Sequence, residues 1–280
     1  MIVTIIGLGL IGGSLAIDLK KRKFATRVIG VDSNELHANV ALNLKIVDDI
    51  LPLNDAIDRA DVVVLAVPVD ATLKLLPKVL DRVENQVVTD VCSTKATLTE
   101  RIKYHQKRAN YVAAHPMAGT ENSGPWAAMS GLFDGKAVIL CDCEDSHEKS
   151  VHAIRQMFDA VNMRPIYMNA VNHDVHVAYV SHISHISSFA LALTVLEKEK
   201  NEKNIFDLAS GGFDSTVRLA KSSADMWVPI FSQNANNITT VLDTYIDKLI
   251  NFRDSIKNAE SEKLSNYIFT ANKIKKILNK

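Results

Sequence analysis

The chain lacks the features that define several classes of protein. It holds only three cysteines among 280 residues. That odd, small number excludes the disulfide scaffold of a small secreted protein and fits a reducing, cytoplasmic compartment. Lysine plus arginine and aspartate plus glutamate balance at 32 each. No global basic field is therefore available to attract nucleic acid or an anionic membrane surface.

Long apolar runs and metal-binding patterns are also scarce. The apolar N-terminal segment has no basic region and is interrupted by glycines from Gly7 onward, which argues against a secretory signal. We expect no membrane span, since no stretch reads as long and apolar enough to cross a bilayer. Cys141 and Cys143 would share a strand face. No second cysteine or histidine pair accompanies them, so we expect a packed strand end there and no metal site.

The first two-thirds of the chain alternates strand-like and helix-like segments. Apolar runs typical of strands occur at 2–6, 27–31, 61–67, 86–90, 111–114, 136–141 and 164–168. Segments with helical periodicity separate most of these runs. A series of βαβ units predicts a doubly wound, mostly parallel α/β sheet of the Rossmann type. We assign residues 1–168 to this dinucleotide-binding domain.

After residue 168 the pattern becomes helical. An apolar stripe at three- and four-residue spacing comprises Ile238, Val241, Leu242, Tyr245, Leu249, Phe252 and Ile256. Such a stripe is typical of an amphipathic helix. We find no convincing strand in this part, so the sequence predicts an all-helical second domain over residues 169–280.

A glycine motif of the form G-x-G-x-x-G follows the first strand and opens the first helix. Gly7 permits the tight turn, Gly9 lets the backbone approach a pyrophosphate, and Gly12 lets the helix pack close to the strand. Leu10 and Ile11 lie inside the motif, where the helix N-terminus faces the phosphates. In this context the motif predicts a dinucleotide site, for which a ligand-free glycine turn is the weaker alternative.

Asp32 ends the second strand about twenty residues further on, where an acidic residue is expected to bind the adenosine ribose. A carboxylate accepts hydrogen bonds from free ribose hydroxyls and repels a 2′-phosphate. Ser33 and Asn34 follow, and no arginine does. We therefore predict NAD as the cofactor in preference to NADP.

His115 stands where a strand must stop. Pro116 follows it and Gly119 allows the chain to turn. At the carboxyl end of a strand, where α/β sheets bind ligands, a histidine is suited to proton transfer near neutral pH. The alternative is a histidine that caps the strand. Ser93 also follows a strand, and it could orient the imidazole or cap the next helix.

Histidines are dense at the start of the second domain. His173, His176, His182 and His185 lie within thirteen residues. On an ideal helix the first two point away from the last two, which argues against a shared metal and leaves His182 and His185 to face the domain cleft. Arg218, further on, is either a solvated helix residue or a partner for a substrate carboxylate.

Together these segments resemble the prephenate and arogenate dehydrogenase family of tyrosine biosynthesis. The resemblance rests on the glycine turn at 7–15, Asp90-x-x-Ser93-x-Lys95, the segment from His115 to Glu121, the segment from Ser181 to His185, and Gly211-Gly-Phe213 with Arg218 and Trp227. These segments span almost the whole chain in the order in which the family has them. Ser184 stands where family members often have proline.

The resemblance implies a nucleotide-binding domain, a helical dimerisation domain and a cytoplasmic homodimer. It also implies metal-free, NAD-dependent oxidative decarboxylation of prephenate, with arogenate or both compounds as alternative substrates. The implied site comprises His115 as the catalytic histidine, Ser93 beside it, Arg218 for the substrate carboxylate, His185 on the substrate side, and Thr120 and Glu121 in the neighbouring loop. A β-hydroxyacid dehydrogenase and a non-catalytic NAD-binding sensor remain as other interpretations.

Overall fold

The computed structural model describes residues 1–200 and 208–278. Its strands are β1 (Ile2–Ile6), β2 (Arg27–Val31), β3 (Asp49–Ile50), β4 (Val62–Leu65), β5 (Val87–Asp90), β6 (Tyr111–Pro116), β7 (Ala137–Cys141) and β8 (Arg164–Met168). Between them lie α1 (Leu10–Lys21), α2 (Glu35–Asn43), α3 (Leu53–Arg59), α4 (Val69–Arg82), α5 (Ala96–Arg101) and α6 (Glu148–Ala160). The helices after the sheet are α7 (Ala170–Val177), α8 (Ile183–Glu199), α9 (Gly211–Val217), α10 (Ala224–Gln233), α11 (Ala235–Lys257), α12 (Ser261–Ala271) and α13 (Lys275–Leu278).

The strands form one eight-stranded sheet in the order β3-β2-β1-β4-β5-β6-β7-β8. Strands β1 to β6 are parallel, β7 runs antiparallel to β6, and β8 runs parallel to β7. This topology and the helices after β8 confirm the expected Rossmann-type fold with a helical C-terminal region. The short β3 is the strand that the sequence pattern did not reveal, because two residues carry no periodicity.

Both faces of the sheet are covered, and the central strands show why. Every residue of β4 is buried. Val62 and Val64 belong to the apolar core on one face, while Val63 and Leu65 belong to the core on the other. Because side chains alternate along a strand, a strand buried on both faces must be apolar throughout. Because β1 to β6 run parallel, their carboxyl ends meet at one edge, which is where sheets of this kind bind ligands.

A buried ion pair fixes the loop between β5 and α5. Asp90 and Lys95 are both 0% exposed and pair with each other. The Asp90 carboxylate also accepts hydrogen bonds from the Tyr111 hydroxyl at 2.6 Å and from the backbone N–H groups of Cys92 at 2.9 Å and Ala114 at 3.3 Å. These bonds tie the end of β5 to β6. They also compensate the carboxylate for the water that it loses on burial.

The helical stretch from Ala170 to Glu199 corrects one expectation. By length and composition it could cross a membrane, with a mean hydropathy of 1.3 over its most apolar window. The expectation that no stretch is long and apolar enough was therefore wrong. The stretch nevertheless carries Asp174 and His173, which are buried within the protein and hydrogen-bonded there. A π-helical turn, Ala178–His182, interrupts it between α7 and α8.

The described chain divides into two compact units, residues 1–235 and 236–280. The first holds the sheet and helices α1 to α10. The described part of the second consists of α11, α12, a 3-10 turn and α13, and rings of Phe252 and Tyr267 contact each other within it at 5.2 Å. The domain boundary at residues 168 and 169 stays a prediction.

Replacement of Lys95 by Met should destabilise the protein by about 3–5 kcal/mol, because it leaves the Asp90 carboxylate charged and unpaired in the core. Urea unfolding measures this change. The double variant Asp90→Asn/Lys95→Met should recover part of the loss. Arg82→Met, which breaks the exposed pair with Asp58, is the control and should leave the midpoint nearly unchanged. Equal shifts for Lys95→Met and Arg82→Met would contradict this view of the pair.

Candidate active site

The turn between β1 and α1 is built for close backbone approach. Gly7 has a φ of +98°, and a Cβ there would lie 2.5 Å from the Ala66 carbonyl oxygen. A Cβ on Gly12 would overlap the carbonyl oxygen of Gly7. Space beside Gly9 is open, with no described atom within 4 Å of an added Cβ, and no side chain caps the helix that begins at Leu10. The first N–H groups of α1 are thus available to an anion.

Residues of the turn divide into those that face the ligand side and those that hold the helix. Leu10 is buried, and Ile11 is partly buried against the apolar core. Their side chains therefore anchor α1, and their backbone N–H groups lie in its first turn, where a helix N-terminus favours an anion.

Asp32 lies directly beside the glycine turn. Its carboxylate accepts hydrogen bonds from the backbone N–H groups of Leu8 at 2.8 Å and Asn34 at 2.9 Å. The basic group near it is His37, whose Nδ1 lies 3.9 Å from a carboxylate oxygen. An acidic side chain held at this position fits a dinucleotide with a free 2′-hydroxyl and disfavours a 2′-phosphate.

His115 lies near the end of β6, a strand in which every residue is buried. Its Nδ1 is 2.8 Å from Nε2 of His173, and Nδ1 of His173 is 2.8 Å from the Asp174 carboxylate. Asp174 in turn accepts the backbone N–H groups of Lys95 at 2.8 Å and Ala96 at 2.9 Å. A hydrogen-bonded chain thus runs from the start of α5 through α7 to the sheet edge.

The carboxylate at one end of this chain sets the tautomers of both imidazoles. An ionised carboxylate only accepts, so His173 carries its proton on Nδ1 and presents an unprotonated Nε2. That nitrogen accepts from Nδ1–H of His115, which leaves the lone pair of His115 on Nε2. The free nitrogen of His115 is therefore the basic one.

Burial keeps both imidazoles neutral. It lowers the pKa of His115 well below the usual value, and His173, Lys95 and His182 lower it further because a positive charge on any of them opposes a second one. Burial also lowers the pKa of His173, although Asp174 opposes that effect. The pair therefore offers an uncharged base at neutral pH.

Ser93 is partly exposed in the loop after β5. Within residues 1–200 and 208–278 it makes no hydrogen bond to His115, whose Nδ1 is engaged by His173 instead. Nor does it cap α5: Lys95 occupies the cap position, and Asp174 accepts the first N–H groups of that helix. A contact between Ser93 and a substrate stays a prediction.

The other histidines of the helical region differ in exposure. His182 is fully buried, and its Nδ1 lies 3.2 Å from the Asn234 amide nitrogen, which also donates to the Asp174 carbonyl at 2.7 Å. Burial lowers the pKa of His182 to about 4. His185 is partly exposed, and its ring stacks on Trp227 at 3.6 Å. Of the two histidines expected at the cleft, only His185 has exposed surface.

Arg218 contacts the loop that follows β6. Its Nη1 donates to the Glu121 carboxylate at 2.9 Å, and its side chain is 50% exposed. A backbone hydrogen bond within Glu121, and then Arg218, lower the pKa of that carboxyl. Thr120 shapes the same loop, because its Oγ1 accepts the N–H of Asn122 at 3.2 Å. The structure therefore pairs two residues that the sequence suggested separately.

Trp126 is a residue of this region that the sequence reasoning missed. It helps to line a cavity of about 470 Å³ together with Glu121, Asn122, Ser123 and Ala127. Its ring lies edge-on to His37, with ring centres 5.4 Å apart. The loop that carries Glu121 therefore extends to the neighbourhood of Asp32. The described residues include no group of three or more potential ligands arranged around a metal.

Comparison with known proteins assigns a family to this geometry. A model described as "Prephenate dehydrogenase, nucleotide-binding domain" matches residues 15–167, and one described as "Prephenate dehydrogenase, dimerization domain" matches residues 169–270. The prephenate dehydrogenase of Bacillus subtilis is 30% identical over 96% of this chain and 74% of its own length. The cyclohexadienyl dehydrogenase of Zymomonas mobilis is 29% identical over 94% of this chain and 90% of its own length.

A solved structure is similar over the full length. The prephenate dehydrogenase of A. aeolicus, in complex with hydroxyphenyl propionate and NAD+, superposes with a TM-score of 0.90 at 29% identity, and the match covers 100% of this chain and 98% of that one. Since the two family models cover most of the sequence, the chain belongs to the prephenate dehydrogenase family.

Proposed function

We propose that this protein oxidatively decarboxylates prephenate to 4-hydroxyphenylpyruvate with NAD, as a step of tyrosine biosynthesis. The observation that carries the proposal is the neutral base His115, which His173 and Asp174 hold at the same sheet edge as the glycine turn and Asp32. The related A. aeolicus structure, which contains NAD+ and a hydroxyphenyl compound, supports both the cofactor and the substrate class.

The glycine turn and Asp32 are the residues that would hold NAD, which when bound accepts a hydride from the substrate. The uncapped N–H groups at the start of α1 would bind its pyrophosphate. Asp32 would accept hydrogen bonds from the adenosine ribose.

His115 would remove the proton of the substrate's C4 hydroxyl through its free Nε2. Loss of that proton pushes electron density toward C4 and helps the hydride to leave. Carbon dioxide departs from C1 in the same conversion, the ring becomes aromatic, and the C4 oxygen takes the proton back from His115 to give the phenol. General base assistance of this kind is worth about 10²–10⁴ in rate. Aromatisation supplies the thermodynamic drive.

Arg218 would bind a substrate carboxylate. Only its Nη1 is engaged, by Glu121, so among the described residues its other N–H groups have no hydrogen-bond acceptor. A guanidinium binds a carboxylate with two parallel hydrogen bonds, which fixes the orientation of the ring as well as its position. Glu121 would keep the guanidinium in place. Thr120, Ser93 and His185 are proposed to contact the substrate from the neighbouring segments.

Arogenate is the second candidate substrate, alone or beside prephenate. The relative from Zymomonas mobilis is named a cyclohexadienyl dehydrogenase. In addition, Nδ1 of His185 donates to the Ser181 carbonyl at 3.1 Å, which leaves Nε2 as an acceptor. An acceptor suits the ammonium group of arogenate better than the ketone of prephenate.

We further propose a cytoplasmic homodimer that forms through the helical domain, residues 169–280. The description of the second family model as a dimerization domain supports this assembly and the boundary. So does the apolar surface of α8, where Leu193 is 66% and Leu196 48% exposed. An apolar helix face of this kind is typical of surface that a partner covers.

The substrate assay tests the proposed reaction directly. Purified protein with NAD and prephenate should form NADH, measured by absorbance, and release carbon dioxide in equal amounts. We expect kcat/KM for prephenate to exceed that for arogenate at equal NAD. A higher value for arogenate would make arogenate the substrate, and no turnover of either would refute the proposed function.

Replacement of His115 by Asn should lower kcat by at least about 10²-fold, because the base is lost, with little change in the KM for prephenate. Steady-state kinetics at neutral pH measure both constants. His152→Asn, at an exposed histidine of α6, is the control and should behave as the native protein does. Retained turnover in His115→Asn would remove His115 from the mechanism.

Replacement of Arg218 by Ala should raise the KM for prephenate by about 10-fold or more, since hydrogen bonds to charged groups contribute about 1.5–3 kcal/mol. The KM for NAD should stay nearly constant. Lys221→Ala is the matched control, because Lys221 lies on the same turn and pairs with Asp214. A parallel rise in both KM values would place Arg218 in cofactor binding or in the fold.

A further inference from the structure

We propose that His115 and His173 form a two-histidine relay, in which the proton taken from the substrate comes to rest on His173 against Asp174. The proposal depends on the function proposed above and extends it by a second imidazole. His173 does not touch the substrate in this scheme. It is a positioning residue that acts through His115.

The geometry of the relay is continuous. Both links, from His115 to His173 and from His173 to Asp174, measure 2.8 Å. The two imidazole rings are inclined at 72°, and His173 is fully buried. The carboxylate is itself immobilised, because two backbone N–H groups of the α5 start donate to it. None of the three side chains in this series of hydrogen bonds can rotate freely. The fold therefore sets the direction in which the proton moves.

The transfer conserves protons and involves no change of electrons. The substrate hydroxyl gives its proton to Nε2 of His115, and Nδ1–H of His115 passes to Nε2 of His173. His115 is then neutral with its proton on Nε2, and His173 is protonated on both nitrogens beside the Asp174 carboxylate. Loss of carbon dioxide then leaves the C4 oxygen as a phenolate, and the steps reverse. His173 returns its proton to Nδ1 of His115, and Nε2 of His115 returns its proton to that oxygen, so the phenol leaves and the pair is reset.

The surrounding charges favour this end state. The groups that face His115 are His173, Lys95 and His182, and a positive charge on any of them opposes protonation of His115. His173 also faces Lys95, but Asp174 contacts it directly and Asp90 lies within electrostatic range, and both carboxylates favour its protonated form. The Coulomb energy of the product state is therefore lower with the cation on His173.

The same arrangement separates the new positive charge from the substrate. A cation that stayed on His115 would lie next to the developing positive centre at C4. The repulsion between the two charges would be only weakly screened by water in this buried site, and it would oppose formation of that centre. Transfer to His173 moves the charge one ring away. Catalytic triads use a carboxylate to orient a histidine and stabilise its cation, and here that carboxylate acts one imidazole further from the substrate.

His173→Gln separates a relay from simple support. A glutamine can accept the N–H of His115 through Oε1 and donate to Asp174 through its amide, but it cannot take up a proton. We expect kcat to fall by about 10-fold or more, with both KM values within about twofold of native, since proton transfer contributes about 10²–10⁴ in rate. His176→Gln, at an exposed histidine of the same helix, is the control.

A proton inventory in mixtures of H₂O and D₂O, with single-turnover kinetics, counts the moving protons. The native protein should give a curved plot, which indicates two protons, and His173→Gln a linear one. A native kcat in His173→Gln, or a curved plot in that variant, would overturn the relay. Failure of the native protein to oxidise prephenate would instead refute the proposed function, so the two failures are distinguishable.

Asp174→Asn provides a second test through pH. Activity is lost as pH falls through the pKa of the histidine pair, because the base becomes protonated. The Asp174 carboxylate stabilises the protonated pair, so its neutralisation should lower that pKa and move the acid limb of kcat to lower pH, while the plateau falls. A lower plateau with an unmoved limb would mean that Asp174 serves the fold alone.

Proton NMR gives a readout that needs no turnover. The Nδ1–H proton of His173, bonded to a carboxylate in a buried site, should give a low-field resonance in the substrate-free protein. The resonance should persist in His176→Gln and disappear in Asp174→Asn. Its absence from the native protein would contradict the hydrogen-bonded chain on which the relay depends.

Discussion

The carboxylate of Asp174 is the contact on which the geometry of the site depends. It accepts two backbone N–H groups at the start of α5 and one imidazole N–H on its own helix. A single side chain thus joins the loop after β5 to the first helix after the sheet and fixes the tautomer of His115. Movement of α7 relative to the sheet edge would break the two bonds from Asp174 to the α5 start and the bond from His173 to His115. The position of the base therefore depends on the position of that helix.

The loop from Asp90 to Ala96 connects Asp174 to the sheet. Asp90 binds Lys95 and the N–H of Ala114, the residue before His115, while Lys95 and Ala96 hold Asp174 by their backbones. The two ends of the histidine chain are therefore attached to one short loop. A buried charge pair is seldom worth much as stability, because desolvation offsets its attraction. Here its contribution is the relative placement of two segments.

Much of the site could be predicted because it depends on local pattern. The glycine turn, Asp32 and His115 each follow a strand, and strand ends in a parallel sheet share an edge. The pairing of Arg218 with Glu121 could not be derived, since 97 residues separate them. The role of His173 was missed for a different reason. An ideal helix places it opposite His182, but the intervening π-helical turn adds a residue, which shifts their angular separation by about 100°.

That turn divides one long helix into two halves, and the directions of the side chains around the helix axis are set separately in each half. On α7, His173 faces the sheet edge. On α8, His185 faces Trp227 and Arg218. These side chains need not lie along one face of a continuous helix. A regular helix would force a choice between the His115 contact upstream and the His185 stack downstream. The extra residue changes the rotational offset between α7 and α8. Each end of the helix can therefore be aligned to its own half of the site.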